Sequence, residues 1–540
     1  MKPLHILGLI CLAALGLRLA LLASIVDFPG IADPLHYYNM GVRLVEGHGF
    51  TIDYIWQYTL PPESIEHPEE HWMPLAAVLA AAPMALAGAR PASAIVPFAL
   101  LGALLPVASY AAARQMRLSA FAALFAATGA ALLPEFVLNS LRTDTTIPAA
   151  LFVSGSVIAL TNGLRSGRAV AFAASGALGG LAYLTRNDGV LLLPMLAVTL
   201  LVYGAAARRY GPLPGTARAA PLAVALMPVV FMLVSAPWLA RNWSEFGTLS
   251  TPETRAMFFF THHNDHYAYN RDFTLATMLE RQTPGEIIGK RLFEMAAGAR
   301  LMITALDWLA LPLIGGLLLL LAARPHAPDQ RRELRERWLA LAPALILLLG
   351  VYVAYALLIP YKAQAGSFKK AYLMLVPLLL PLAGYALDRA VDAARVRLGA
   401  AVLILALLGM NAFDLVRSDA AAARAYLASI ERMAGVVRTL AGEDGPAASD
   451  PILMTQDPFI LRYVGLRSVM FPFEDIDTIY EVALRYDVDY LLLPADRPDL
   501  DPIYLREAED PRFPFAAEVS GTHYRLHRVL PPADPAPSPS

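Results

Sequence analysis

The chain has 540 residues, of which 57% are hydrophobic and only 16% charged, with a formal net charge of −2. A soluble domain carries about 25% charged residues, so the composition excludes an ordinary soluble protein, and the near-neutral balance excludes bulk binding to nucleic acid or another polyanion. The single cysteine, Cys11, excludes an intramolecular disulfide.

Met1 and Lys2 precede an apolar run over 4–26, longer than a signal-peptide core and without a clear small-residue cleavage site. It is read as a retained first span, with the N-terminus inside. Further runs of spanning length lie at 92–113, 119–137, 145–163, 169–185, 188–206, 220–239, 302–322, 338–358, 371–388 and 398–414. The fold class is therefore a polytopic α-helical membrane protein with about eleven transmembrane helices. The run 74–89, "PLAAVLAAAPMALAGA", is short and holds a central proline, which suits an interfacial helix.

Charge sets the topology. With 74–89 on the outer surface, Arg114/Arg117, Arg165/Arg168, Arg208/Arg209/Arg218, the arginines from Arg324 to Arg337, and Arg389/Arg395/Arg397 all face the cytoplasm. That is the positive-inside pattern, and a spanning 74–89 would turn them outward. The first loop 27–91, the turn near Leu138 to Thr145, the loop 241–301 and the turn 359–370 then share the outer face with the C-terminus.

Beyond residue 414 the pattern changes. "AAARAYLASIERMAGVVRTL" has helical periodicity, while "PILMTQD", "RSVMFP" and "DYLLLP" read as short strands alternating with helical stretches such as "IDTIYEVALRYD". The expected organisation is a membrane domain over 1–414, a small external α/β domain over 415–530 and a disordered Pro/Ser-rich tail over 531–540.

The polar residues of the outer face carry the candidate chemistry. Asp33 follows the first span in "ADPLHYY", and Asp144 stands at the start of another in "RTDTTIP". Carboxylates at such boundaries can take a proton from an acceptor hydroxyl or ligate a cation. Asp144 reads equally well as a helix cap. Arg43, Arg142, Arg186, Arg241, Lys362, Lys369 and Lys370 flank these acids. Such cations suit a phosphate at membrane depth, although headgroup attraction accounts as well for Lys369 and Lys370. "IEHPEEHW" and "THHNDHYAYNRD" hold five of the eleven histidines, and His36 and His48 bring the two long loops to seven. A solvated loop is the ordinary reading of either stretch.

Several of these stretches resemble the GT-C superfamily of membrane glycosyltransferases, the group of the protein O-mannosyltransferases and the aminoarabinose transferase of lipid A. "DPLHYYNMGVRLVEGHGF" resembles their first external loop, "HWMPLAAVLAAAPMALAG" their juxtamembrane helix, "LRTDTTIPAALF" their second acidic motif, "GLAYLTRNDGVLLLP" a Leu-Thr-Arg/Lys span end, "APWLARNWSEFG" a Pro-Trp-x-x-Arg-Asn segment, and "SFKKAYLMLVPLLLPLAG" a late basic segment. The resemblance covers about 1–390, and each motif is short. It implies a polyprenyl-phosphate-linked sugar as donor and inversion at the anomeric carbon. Asp33 would be the base, with Asp144 as the second acid. Arg142, Arg186, Arg241, Lys369 and Lys370 would hold the donor phosphate, and His36, Tyr37, Tyr38, Trp72 and Asn242 would line the substrate.

Two departures stand out. His71-Trp72 replaces the Glu-Lys of the aminoarabinose transferase type, which makes His71 and Glu70 the candidate ligands of a divalent metal, the one cofactor in question. Pro34 follows Asp33 where the O-mannosyltransferases have a second acid. The expected partners are the lipid-linked donor, membrane lipids and an acceptor that is a protein, a lipid or a polysaccharide. The expected location is the bacterial inner membrane. The alternatives are a transporter or flippase, which would need ionisable residues in mid-span, and a ligase of the same fold using pyrophosphate-linked oligosaccharides. Arg18 is the main charge deep in a span.

Overall fold

The computed structural model describes residues 2–211, 220–251, 253–359, 364–443, 450–493, 500–507 and 509–532. Lys362 and the predicted disordered tail from residue 533 onward lie outside the described residues.

Every predicted span is met by a helix, and the protein is a multi-pass membrane protein. Among the described residues seven helices are long and apolar enough to cross a membrane, from Pro3–Ser24 to Ala394–Gly442. Two bent pairs, Pro284–Thr304 with Asp307–Ala322 and Gly366–Leu373 with Val376–Ala390, add two more. The predicted spans at 119–137 and 169–185 are the shorter apolar helices Ala120–Leu132 and Ala169–Thr185. Pro134 ends the first of these early, because a proline biases the residue before it away from helical backbone, and it then opens the short helix Pro134–Asn139. The run 74–89 forms the 13-residue helix Leu75–Ala87 with Pro83 inside it.

The chain folds as two compact units. The first comprises Met1–Pro29, Trp72–Ser250 and Gln282–Ala420. Its helices approach closely where glycine replaces a side chain: a Cβ on Gly316 would lie 1.9 Å from the Leu382 carbonyl oxygen, and one on Gly384 would lie 2.3 Å from that of Ala122. Small residues are the usual means of close helix packing in lipid, where no hydrophobic force separates helix from solvent. Arg18 is fully buried in the first span. Its guanidinium donates to Ser140 Oγ at 3.0 Å and to the carbonyls of Ala14 and Ala131 at 3.1 Å each. The charge deep in the span thus secures the helix break ahead of Pro134.

The second unit comprises Gly30–His71, Thr251–Arg281 and Ala421–Ser540. The strands in chain order are β1 (Thr51–Ile52), β2 (Tyr54–Ile55), β3 (His67–Pro68), β4 (Ile452–Thr455), β5 (Arg467–Met470), β6 (Tyr490–Leu493), β7 (Phe515–Glu518) and β8 (Arg525–Arg528). β1 and β3 pair with each other, and the other six form one sheet in the order β2-β5-β4-β6-β8-β7. β2, β5, β4 and β6 run parallel, while β8 and β7 are antiparallel. The expected strands at "PILMTQD", "RSVMFP" and "DYLLLP" are β4, β5 and β6, and the expected helix is Ile476–Arg485. Asp475 caps that helix by accepting from Thr478 N at 2.9 Å.

The boundary drawn at 414 is not where the units divide. The helix Ala394–Glu443 runs 50 residues through it. Part of each external loop groups with the C-terminal segment, because β2 pairs with β5 through Tyr54↔Ser468 and Ile55↔Val469.

Candidate active site

In the first unit the site begins where Thr146–Ser166 starts. Asp144 is 1% exposed and sits two residues ahead of the helix. Its Oδ1 accepts from Thr146 N at 2.7 Å and from the Thr146 hydroxyl, and its Oδ2 accepts from Lys370 Nζ. The capping and the functional readings of Asp144 therefore describe the same side chain. Burial pushes its carboxyl up, but the Lys370 charge and these hydrogen bonds outweigh burial and hold it at about 2.

Arg186 terminates the helix Ala169–Thr185 in extended backbone. Its Nε and Nη2 grip Asp188 Oδ2 at 2.8 and 2.6 Å. Nη1 donates to Thr145 Oγ1 at 3.3 Å, and Nη2 donates to the Ser367 carbonyl at 3.2 Å. The Tyr355 hydroxyl donates to Asp188 Oδ1 at 2.9 Å. Ser367 closes one of two short π-helical stretches, Ala354–Leu358 and Gln364–Phe368. Such bulges occur frequently at functional sites. Lys369 pairs with Glu135 at 2.5 Å, and Arg142 pairs with Asp419. Arg186 and Lys370 thus meet at adjacent residues, Thr145 and Asp144, while Lys369, next to Lys370 in the chain, pairs separately with Glu135. Arg241 is placed differently, with its guanidinium over the rings of Trp238 at 4.8 Å and Phe246 at 5.0 Å. Asn242 accepts from Arg241 at 3.2 Å and donates to the Leu249 carbonyl at 3.3 Å, tying off the end of Pro221–Phe246.

In the second unit Asp33 is the first residue of the helix Asp33–Glu46, and Ala32 before it is held at φ +61°. A non-glycine residue in that region costs about 1–3 kcal/mol, and such strain clusters at functional sites. Asp33 is near enough for its charge to act on His71, His263, His266 and Tyr267. The buried Glu253 carboxylate bridges two imidazoles, with one oxygen against His71 Nδ1 and the other against His266 Nδ1. Those contacts place the protons on Nδ1 and make Nε2 the basic nitrogen of each ring. Burial, reinforced by the His266 charge, draws His71 down to about 3, and burial draws His266 down to about 4 against the opposing charges of Asp265 and Asp33. Trp56 packs between them, its ring 4.8 Å from His71 and 6.2 Å from His266.

The comparisons with known proteins follow this geometry. A family model for dolichyl-phosphate-mannose-protein mannosyltransferases matches residues 66–239. No curated protein matches the sequence significantly. Among solved structures, ArnT from Cupriavidus metallidurans bound to undecaprenyl phosphate aligns with a TM-score of 0.58 at 16% identity, over 96% of this chain and 97% of that one. The fold is that of the solved ArnT. The Archaeoglobus fulgidus oligosaccharyltransferase in complex with Zn and sulfate aligns with a TM-score of 0.52 at 14% identity, over 96% of this chain and 72% of that one.

Within this fold the expected residues divide into three groups. Asp144, Arg186, Lys369 and Lys370 come together in the first unit, and Asp33 and His71 in the second. Tyr37 and Tyr38 are buried in the core of the second unit, and Trp72 is buried in the first. Glu70 does not join His71: it lies 3.9 Å from His67 Nε2 and accepts from Gln57 at 3.2 Å, while His71 meets Glu253. Among the described residues no three His, Cys, Asp or Glu side chains are arranged to hold a metal ion. Asp188, Tyr355, Glu135, Glu253 and Glu69 escaped the sequence reading as site residues. Tyr355 sits inside an apolar run, and Glu253 is nearly two hundred residues from its partner His71. Only the Arg186-Asn187-Asp188 triplet offered a local signal, an acid two residues from a span-end arginine.

Proposed function

We propose that this protein is a membrane glycosyltransferase that moves a sugar from a polyprenyl-phosphate donor to an acceptor on the external face of the bacterial inner membrane, with inversion. The observation that carries this reading is the convergence of Arg186 on Thr145 and of Lys370 on the adjacent Asp144, with Lys369 beside Lys370 in the chain. A sugar leaving a lipid phosphate needs cations on the departing oxygen rather than a nucleotide-binding fold. The solved ArnT was bound to undecaprenyl phosphate, which supports that class of donor.

Asp33 is the base in this mechanism. It takes the proton of the acceptor hydroxyl as the oxygen attacks the anomeric carbon. The bond from that carbon to the phosphate oxygen breaks, and the electron pair leaves on the lipid phosphate, where the cations offset its charge. A divalent ion would be sought at His71 with Glu253 and His266, rather than at His71 with Glu70. As arranged these side chains do not form a ligand set, and no step is routed through a metal.

The test uses purified protein in detergent with a panel of polyprenyl-phosphate monosaccharides, a membrane extract as acceptor source, and wild type beside Asp33→Asn. Release of polyprenyl phosphate that depends on Asp33 supports the transferase and names the donor. No release with any monosaccharide donor overturns the reading and directs the assay to pyrophosphate-linked oligosaccharides. A chelator arm tests for a metal.

A further inference from the structure

One buried carboxylate in the second unit has no part in the chemistry above. Glu69 and His36 are both fully buried. Glu69 Oε2 lies 3.0 Å from His36 Nε2, and Glu69 Oε1 accepts from the His71 backbone N–H at 2.7 Å. His36 stands three residues after Asp33, on the same helix. Its other nitrogen, Nδ1, is 2.7 Å from the Tyr54 hydroxyl on β2. Burial pushes the Tyr54 hydroxyl well up, so it keeps its proton. Asn39, one turn further, donates to the Phe459 carbonyl at 2.9 Å.

We infer that Glu69 is a positioning residue: its two oxygens tie the helix that begins with Asp33 to the backbone of His71, and so fix the Asp33 base against the His71–Glu253–His266 cluster. A buried, unshared carboxylate is costly, and a merely structural core would be as well served by an apolar side chain. Here one oxygen serves the helix of the base and the other serves the neighbouring imidazole's backbone. His71 therefore cannot shift relative to Asp33 without breaking a charge-assisted bond. Displacement of a reacting group by about 1 Å can cost about a hundredfold in rate.

The kinetic half of the test rests on the transferase reading, whereas the exchange half does not. Glu69→Ala removes both ties. Glu69→Gln keeps an oxygen for the His71 N–H and offers an amide N–H to His36 Nε2, which becomes an acceptor once its proton moves to Nδ1 and the Tyr54 oxygen accepts it. Hydrogen exchange followed by mass spectrometry on peptides covering 33–46 and 66–71 reads the ties directly. In E69A these peptides exchange at least about tenfold faster, whereas in E69Q they keep wild-type protection. In the glycosyl-transfer assay E69A loses about a hundredfold in kcat, with KM for the donor within about threefold, and E69Q recovers most of the loss.

Tyr54→Phe supplies a second test in case E69A does not accumulate. It opens no cavity and removes the hydroxyl beside His36, with faster exchange over 33–46 and about a tenfold fall in kcat expected. Wild-type exchange and turnover in E69A or Y54F overturn the inference. So does an E69Q that exchanges like wild type yet is as inactive as E69A, because charge rather than position would then be what counts. A wild type that releases no polyprenyl phosphate, with the exchange pattern as stated, overturns the transferase reading and leaves the ties established.

Discussion

The Asp144–Lys370 pair permits a quantitative test. Asp144 is 1% exposed and its carboxyl falls from the usual 3.8 to about 2. That difference corresponds to about 2.4 kcal/mol of net preference for the ionised form, after burial has been overcome. Lys370→Met leaves the carboxylate with only the Thr146 hydrogen bonds, and breaking one side of a buried pair costs about 3–5 kcal/mol. Because Thr146 still satisfies one oxygen, the lower end, about 3 kcal/mol, is expected. Asp144→Asn costs less, since Lys370 is partly exposed and can turn to water. The double variant recovers part of the loss, giving a coupling of about 2 kcal/mol. Denaturant unfolding in detergent, followed by tryptophan fluorescence, measures all four proteins. The pH dependence carries its own sign. Without Lys370, burial raises the Asp144 carboxyl above its unfolded value, so the native state takes the proton more readily than the unfolded chain. The deficit of K370M therefore shrinks as pH falls from 7 to 5. Equal stability of wild type and K370M, with a coupling below about 0.5 kcal/mol, would refute the reasoning.

Three further outcomes are expected. Arg186→Met removes a guanidinium whose hydrogen bonds to a charged group are worth about 1.5–3 kcal/mol. It should weaken binding of a polyprenyl phosphate by about tenfold to a hundredfold, as read by titration. His71 and His266 lie at about 3 and 4, below the usual 6.5. The unfolded chain therefore gains protons below pH 6.5 that the folded one refuses, so stability is full above pH 6.5 and falls by up to about 1.4 kcal/mol per pH unit per histidine toward pH 4. Thermal unfolding at pH 7 and 5 measures this, and His71→Gln with His266→Gln should flatten the slope. Gly384→Ala sets a Cβ 2.3 Å from the Ala122 carbonyl oxygen. It should cost about 1–3 kcal/mol of overpacking, visible as a lower Tm, while Gly409→Ala, with nothing near its Cβ, should not.

The sequence was most legible where a single physical constraint acts over many residues. Apolar runs must span, so the predicted spans stood out, and even the break at Pro134 follows from proline's restriction of its neighbour; the helix Pro284–Thr304 did not, because its charged residues read as part of the loop 241–301. Strands β4 and β6 were visible as fully buried, mainly apolar runs bounded by turn residues, and β5 as a short run that opens on the exposed Arg467 and is buried from Ser468 to Met470. β2 was not, since two residues, Tyr54 and Ile55, carry no periodicity. In the site, Asp33, Asp144 and Arg186 were legible as charges at span ends, where water and lipid meet. Tyr355 and Glu253 were not, because their meaning lies in partners far along the chain: Tyr355 is 167 residues from Asp188, and Glu253 meets His71 of the first loop. Tyr37 and Tyr38, which follow Asp33 in the chain, are buried on its helix, a placement that their sequence position alone did not indicate.

The pairing of β2 with β5 also bears on how the protein is made. Tyr54 waits for Ser468, more than four hundred residues later in the chain. At a synthesis rate of about 5–20 residues per second, that interval is roughly 20–80 seconds. During it the nascent first loop has an unpaired strand, and the Asp33 helix lacks the Phe459 carbonyl that Asn39 later engages. Long-range parallel pairing of this kind is slow and exposed to aggregation. The residue that would perform the chemistry is thus translated near the start but locked in place only near the end, so a ribosome that stops early leaves a membrane protein with most of its helices and an unbraced base.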